Sequence, residues 1–198
     1  IFMYDVIIIG SGPAGISAAL YTQRGGLKTL IISKGSSSLE KAHKIQNYYG
    51  LVEEISGKEL YKIGIEQAKR IAVEIIEDEV VQISNEKNFK VTTINAEYDA
   101  TNVILATGIN RKESTIKGIK EYEGKGISYC AVCDAFFFRG KDVAVIGDGN
   151  YAVHEAEILK PIAKSVRIIT NGKSMVQNRN IDVETIKDSV KEVKGKDI

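Results

Sequence analysis

Residues 4–24 read YDVIIIGSGPAGISAALYTQR. The first six form an apolar, β-branched run of strand length, and Gly10, Gly12 and Gly15 follow at once in G-x-G-x-x-G spacing. That spacing has a physical cause. The first glycine permits a tight turn, the second lets a pyrophosphate approach the backbone, and the third lets a helix pack on the strand; the helix start offers unpaired N–H groups to an anion. ISAALYTQR then runs to a natural stop at Gly25-Gly26, and Thr29 to Ile32 (TLII) is the second parallel strand of a βαβ unit. The stretch predicts an α/β layer that holds a dinucleotide on Gly10, Gly12, Pro13, Ala14 and Gly15. One part is missing. The second strand ends in Ser33-Lys34, where an acid would hold a ribose hydroxyl, so that contact must come from elsewhere.

Working outward, residues 35–56 are a polar loop, and Leu60 to Arg70 reads as an amphipathic helix with Leu60, Ile63, Ala68 and Ile71 on one face. Strands are expected at Val73 to Ile76, Val80 to Ile83, Phe89 to Ile94 and Asn102 to Ala106, the third returning as a hairpin after the turn at Asn85 to Asn88. VILATG, residues 103–108, is a buried strand running into Thr107-Gly108, a second backbone turn able to meet a cofactor, though by composition it could equally be a plain core strand and turn. The opening plan then recurs in VAVIGDGNYAVHEAEILK, residues 143–160: a strand to Ile146, Gly147, Gly149 and Ala152 in G-x-G-x-x-A spacing, a helix ending before Pro161, and a strand from Val166 to Thr170. Two such units imply two nucleotide sites.

Between them lies SYCAVCDAFFF, residues 128–138, with the chain's only two cysteines. As a structural staple the pair would close a tiny loop and remove little chain entropy. Zinc would need about four ligands, and only His43 and His154 stand besides the cysteines, neither spaced as a ligand pair; no metal is expected. A redox pair remains, and it lies between two dinucleotide motifs, an order suited to passing electrons from one dinucleotide through another to a thiol pair. Cys130, first of a C-x-x-C near a helix start, has its thiolate favoured and is the candidate for attack on a substrate disulfide. Asp134 can act as acid or base beside the sulfurs, or cap the helix that follows. Phe136, Phe137 and Phe138 read as packing.

Composition excludes other classes. With 43% hydrophobic residues in 198, the chain can bury at least one full core. The 27 basic and 26 acidic side chains are interspersed, leaving no basic footprint for nucleic acid or anionic membrane. No apolar stretch approaches the ~20 residues of a membrane span, and the N-terminal apolar run is too short for a signal peptide. A cytoplasmic protein is expected. Ile1 and Phe2, ahead of Met3, are set aside.

Five motifs in order (GSGPAG, IQNYYG at residues 45–50, ILATG, SYCAVCDAFF and VAVIGDGNYAVHEA) resemble those of the low-molecular-weight thioredoxin reductases, flavoproteins with two dinucleotide-binding domains. The resemblance covers residues 4 to about 170. It implies two Rossmann-like domains: residues 3–109 as the N-terminal part of an FAD-binding domain, and residues 113–198 as a partial pyridine-nucleotide-type domain carrying the C-x-x-C, the chain stopping short of the family's return to the flavin domain. It implies FAD near Gly10, Gly12, Gly15, Asn47 and Gly108, a redox disulfide between Cys130 and Cys133 with Cys133 facing the flavin, Asp134 as proton donor, thioredoxin or a thioredoxin-like protein as partner, and a homodimer. The rival is an FAD-binding redox sensor or electron-transfer module without reductase turnover.

The departures from that family concern the electron donor. Asp148 stands where the second phosphate loop usually has glycine, placing negative charge beside a pyrophosphate, and Tyr151 replaces a small hydroxyl residue. Where the NADPH-specific enzymes carry a His-Arg-Arg run, this chain has Asn171-Gly172-Lys173-Ser174. Each lost charge-assisted hydrogen bond is worth roughly 1.5–3 kcal/mol, so two would weaken NADPH about a hundredfold or more. Poor NADPH use is expected and NAD(P)H is a doubtful cofactor; the expected donor is ferredoxin, as in clostridial relatives lacking these motifs, or else NADH, which needs no 2′-phosphate contact. From Thr170 to the strand expected at Ile181 to Ile186 there are only ten residues, whereas a parallel crossover needs about a dozen or more.

Overall fold

The structure, a computed structural model, describes residues 3–109, 114–177 and 181–195. The chain divides into two compact units, Ile1–Arg111 and Lys112–Ile198. The domain boundary expected between 109 and 113 falls largely on residues outside those described, as do Ile1, Phe2 and the last three residues.

In the first unit, β1 (Met3–Ile9), α1 (Pro13–Arg24) and β2 (Thr29–Ser33) form the βαβ unit, and α2 (Gly57–Arg70) leads to β3 (Glu74–Glu77). The strands β4 (Val80–Asn85), β5 (Phe89–Thr93) and β6 (Glu97–Leu105) complete a six-stranded sheet in the order β3-β2-β1-β6-β5-β4. β1 pairs in parallel with both β2 and β6, whereas β4, β5 and the start of β6 run antiparallel. Side chains alternate across a strand. Val6, Ile8 and Ile31 therefore meet Ile16 and Ala19 of α1 and Ala68 of α2 on one face. Ile7, Ile9, Leu30 and Ile32 bury the other face beneath Val91, Ala100, Tyr98 and Val80, so the antiparallel end curls over the parallel strands. Tyr4 is buried on that side and its hydroxyl donates to Glu74 at 2.8 Å; burial, then the Glu74 carboxylate, push the phenol above its ordinary value.

Two expectations shift. The buried face of α2 is Tyr61, Ile65 and Ala68, while Ile63 is exposed, because Gly64 must lie against Ile16 of α1, 3.1 Å from where a Cβ would stand. β6 begins at Glu97 rather than near Asn102, because its polar start is held by antiparallel pairing to β5 before it turns parallel to β1.

The second unit has a three-stranded parallel sheet: β7 (Asp142–Ile146), β8 (Ser165–Ile169) and β9 (Glu184–Ile186), in that order. Between β7 and β8 runs α4 (Asn150–Leu159), preceded in the chain by a single-turn helix α3 (Ala131–Asp134) and a 3-10 turn over Ala135–Phe138. Val153 and Ala156 of α4 pack on Ile168, and Leu159 packs on Ala131 and Ala135. β8 ends one residue early and β9 starts three late, so residues 170–183 connect them, the length that a parallel crossover needs. Ile181 and Val183, expected in the strand, pack against the core ahead of it. Among the described residues no helix is long and apolar enough to cross a membrane.

Ile31 is fully buried in the middle of β2, against both helices. Ile31→Ala should cost about 2–5 kcal/mol in urea unfolding; a loss below about 1 kcal/mol would show that this face is not the core.

Candidate active site

The first glycine turn is built by close approach of backbones. Gly10 takes φ +111°, and its amide donates to Ile32 O at 2.8 Å, tying the turn to the end of β2. A Cβ at Gly10 would collide with Ala106 O, and one at Gly15 with Gly10 O. Those two glycines are demanded by the chain's own packing. Gly12 is different. A Cβ there would meet only Ser37 Oγ, at 3.4 Å, so that glycine leaves room that no part of the protein needs. Gly12 caps α1 without a side-chain hydrogen bond and Pro13 occupies the first turn, so the helix start keeps free N–H groups for an anion. Buried Ser11 locks the turn in place: its hydroxyl lies 2.6 Å from Ser33 Oγ and 2.7 Å from Tyr61 Oη.

The other predicted first-unit positions divide. Ala106 N donates to Ile9 O at 2.9 Å and the Ala106-Thr107 backbone lies against Gly10, so Thr107 and Gly108 (φ +68°) leave β6 beside the glycine turn. Asn47 is exposed in a loop closed by an Ile45–Ile55 bridge and by Glu54, whose carboxylate takes Lys44 and Gln46 and is held below its usual range first by the Lys44 hydrogen bond. No described hydrogen bond joins Asn47 to the turn. The acid missing from β2 is offered from the side. Glu77 is the register partner of Ser33 on β3, and its carboxylate lies 2.5 Å from where a Cβ of Gly35 would stand. A carboxylate there can accept hydrogen bonds from a ribose diol. Sequence reasoning missed it because β2–β3 register is tertiary.

The second turn repeats the first in outline: Gly147 N donates to Ile169 O at 3.0 Å, and a Cβ at Gly147 would crowd that of buried Ala152 at 2.8 Å. The chain then covers its own loop. Val176 N donates to Asp148 O at 2.7 Å, Val176 bridges Gly149, and Lys173 pairs with the Asp148 carboxylate at 3.1 Å. The lysine expected to be a poor phosphate ligand is thus committed to the aspartate that crowds the loop.

Cys130 and Cys133 are joined in a disulfide, with Cα atoms 5.3 Å apart. Cys130 is itself the N-cap of α3, its sulfur accepting from Cys133 N at 3.3 Å. Asp134 does not cap the following turn; its carboxylate accepts from Ser128 Oγ at 2.5 Å, leaving it beside the cysteines as an acid held by a hydroxyl. Ala131 and Ala135 pack on α4, which leaves Val132, Cys133, Phe136 and Phe137 exposed and Cys130 half-buried. Of the three phenylalanines only Phe138 joins the core; the other two stack edge to face at the surface, with Arg139 over Phe136.

These features match known proteins over nearly the whole chain. The model of the pyridine nucleotide-disulphide oxidoreductase family matches residues 4–197. The chain belongs to that family. Thioredoxin reductases of Aquifex aeolicus and Bacillus subtilis are 42% and 39% identical over 87% and 93% of the chain, covering 55% and 60% of those proteins. The chain thus spans little more than half the length of these curated relatives. Solved thioredoxin reductases from Streptococcus pyogenes (39% identity, TM-score 0.84) and Giardia duodenalis (30%, 0.90) superpose on 99% of the chain, which covers 68% of each. Thioredoxin reductases of this family are FAD-dependent, and the cradle at Gly12, with its uncapped helix start, fits the pyrophosphate of such a dinucleotide.

The glycines should separate by experiment. Gly15→Ala should lower the melting temperature of the ligand-free protein by several degrees or prevent folding. Gly12→Ala should leave it within about 1 °C yet weaken FAD binding tenfold or more, read by flavin fluorescence. Equal effects on folding would show that Gly12 also serves packing.

Proposed function

We propose that the protein is a flavin-dependent thioredoxin-disulfide reductase, passing electrons through FAD to the Cys130/Cys133 couple and on to a thioredoxin-like disulfide. The observation that carries this reading is the Cys130–Cys133 disulfide at the start of α3, with the Asp134 carboxylate directly after it. The likeness to thioredoxin reductases supports it. The unit holding Gly10, Gly12 and Gly15 takes the flavin, and the unit holding the cysteines performs the exchange.

Bound flavin, once reduced by the electron donor, would supply the two electrons that open the disulfide. With two protons, the pair becomes two thiols. Cys130 is the attacking sulfur, because a thiolate at the helix N-cap is stabilised by the Cys133 amide that already points at it. It bonds to one sulfur of the substrate disulfide and expels the other. Cys133 then displaces the substrate from Cys130, the intramolecular bond reforms, and the substrate leaves as a dithiol. Two protons pass from protein thiols to substrate thiolates, and Asp134, oriented by Ser128, is placed to carry them. Exposed Val132, Phe136 and Phe137 offer an apolar surface on which a partner protein can seat beside the sulfurs.

The electron donor in this proposal is reduced ferredoxin rather than NADPH. Its support is the second glycine loop, which is bridged by Val176 and carries Asp148 with Lys173 already paired to it. Anaerobic bleaching of the flavin, followed separately with NADPH, NADH and reduced ferredoxin, should be rapid with ferredoxin and slow with NADPH; rapid bleaching by micromolar NADPH overturns the donor assignment. Cys133→Ser should lower turnover of a thioredoxin-like disulfide by about a thousandfold or more with flavin still bound, and unchanged turnover overturns the reductase reading.

A further inference from the structure

We infer that Tyr151 and Glu155 are positioning residues that hold the backbone on either side of Cys130; this rests on reading Cys130–Cys133 as the redox couple. They stand four apart on α4 and so share a face, one turn from each other. The Tyr151 hydroxyl donates to Tyr129 O at 3.0 Å, and the Glu155 carboxylate accepts from Ala131 N at 2.5 Å. Tyr129 and Ala131 are the residues immediately before and after Cys130. Glu155 is only 8% exposed, an unusual place for a carboxylate, and the amide it takes is one that the first turn of a helix leaves without an internal partner. Water therefore competes little for this bond, and removing the carboxylate strands a buried donor, the Ala131 amide.

The helix that carries both grips is itself fixed. Ala152, Val153, Ala156 and Leu159 of α4 are buried against the sheet and against Ala131 and Ala135. Cys130 is thus held to a rigid element rather than to a free loop. The consequence is chemical. The reduction converts Cys130–S–S–Cys133, two electrons and two protons to two thiols, and its equilibrium depends on how closely the fold holds the sulfurs together. Fixing Cys130 from both sides favours the closed disulfide over the open dithiol and makes the couple harder to reduce. Tyr151 contributes to this grip through a reach that a shorter hydroxyl side chain lacks.

The test equilibrates the purified protein with graded ratios of reduced and oxidised glutathione, traps thiols with iodoacetamide and counts them by mass. Tyr151→Phe and Glu155→Ala should each shift the equilibrium about tenfold toward the dithiol, about 30 mV for two electrons. Glu155→Gln, which keeps an acceptor oxygen, should stay within about threefold of the unsubstituted protein. Thermal melts of the oxidised forms accompany each measurement. Variants that melt earlier while their midpoints stay put would reduce both residues to ordinary stabilisers and overturn the inference. It is equally overturned if Glu155→Gln moves as far as Glu155→Ala, since the hydrogen bond would then not be what was lost. Should the cysteines never interconvert at any ratio, the redox-couple reading falls and the positioning role with it; should they interconvert with no variant shifted, only the positioning role falls.

Discussion

At the first turn, backbone lies on backbone: the helix at Gly15 presses on the carbonyl of Gly10, and Gly10 presses on the chain leaving β6. No side chain can be interposed at either point. That constraint fixes where α1 sits over β1, which way the crossover to β2 runs, and where the end of β6 comes to rest. With the helix start and the β6 turn brought together, the free N–H groups, Thr107 and Gly108 share one edge of the sheet, where ligands of open α/β sheets bind.

The same device in the second unit has a different outcome. Gly147 and Ala152 reproduce the close packing, and Gly147 is tied to Ile169 as Gly10 is tied to Ile32. The chain after β8 then turns through Asn171 and Gly172, both at positive φ, and returns across the loop to bridge Gly149. Asp148 holds that return through its carbonyl and its carboxylate at once. The second loop thus carries a segment of its own protein.

The helix opened by that second loop is also the one against which the cysteines are built. α3 is too short to stand alone, since a single turn repays little of its ordering cost. It is held by Ala131 and Ala135 packing on α4 and by the grips on Tyr129 O and Ala131 N. Small residues on the inner face bring the helices close; large ones on the outer face, Val132, Phe136 and Phe137, stay in solvent next to the sulfurs. The rigidity of the pair and the exposure of its surroundings have the same origin.

The sequence by itself determined the two βαβ units, their glycine turns and the adjacency of the cysteines, because each rests on local constraints: β-branched runs, permissive glycines at set intervals, a helix stop. It also exposed the missing acid after β2 and the crowded second loop, since these are substitutions within a local pattern. Only the tertiary structure decided that Glu77 stands beside Ser33, because register between parallel strands joined by a long crossover is not written in either strand. Nor could local pattern divide the phenylalanines or tell that Tyr61 and Ile65 of α2, rather than Ile63, face the core, for apolar periodicity names a face without naming what covers it. Glu155 was passed over for the same reason. A glutamate in a helix reads as solvated until the segment whose amide it accepts, 24 residues earlier in the chain, is folded against it.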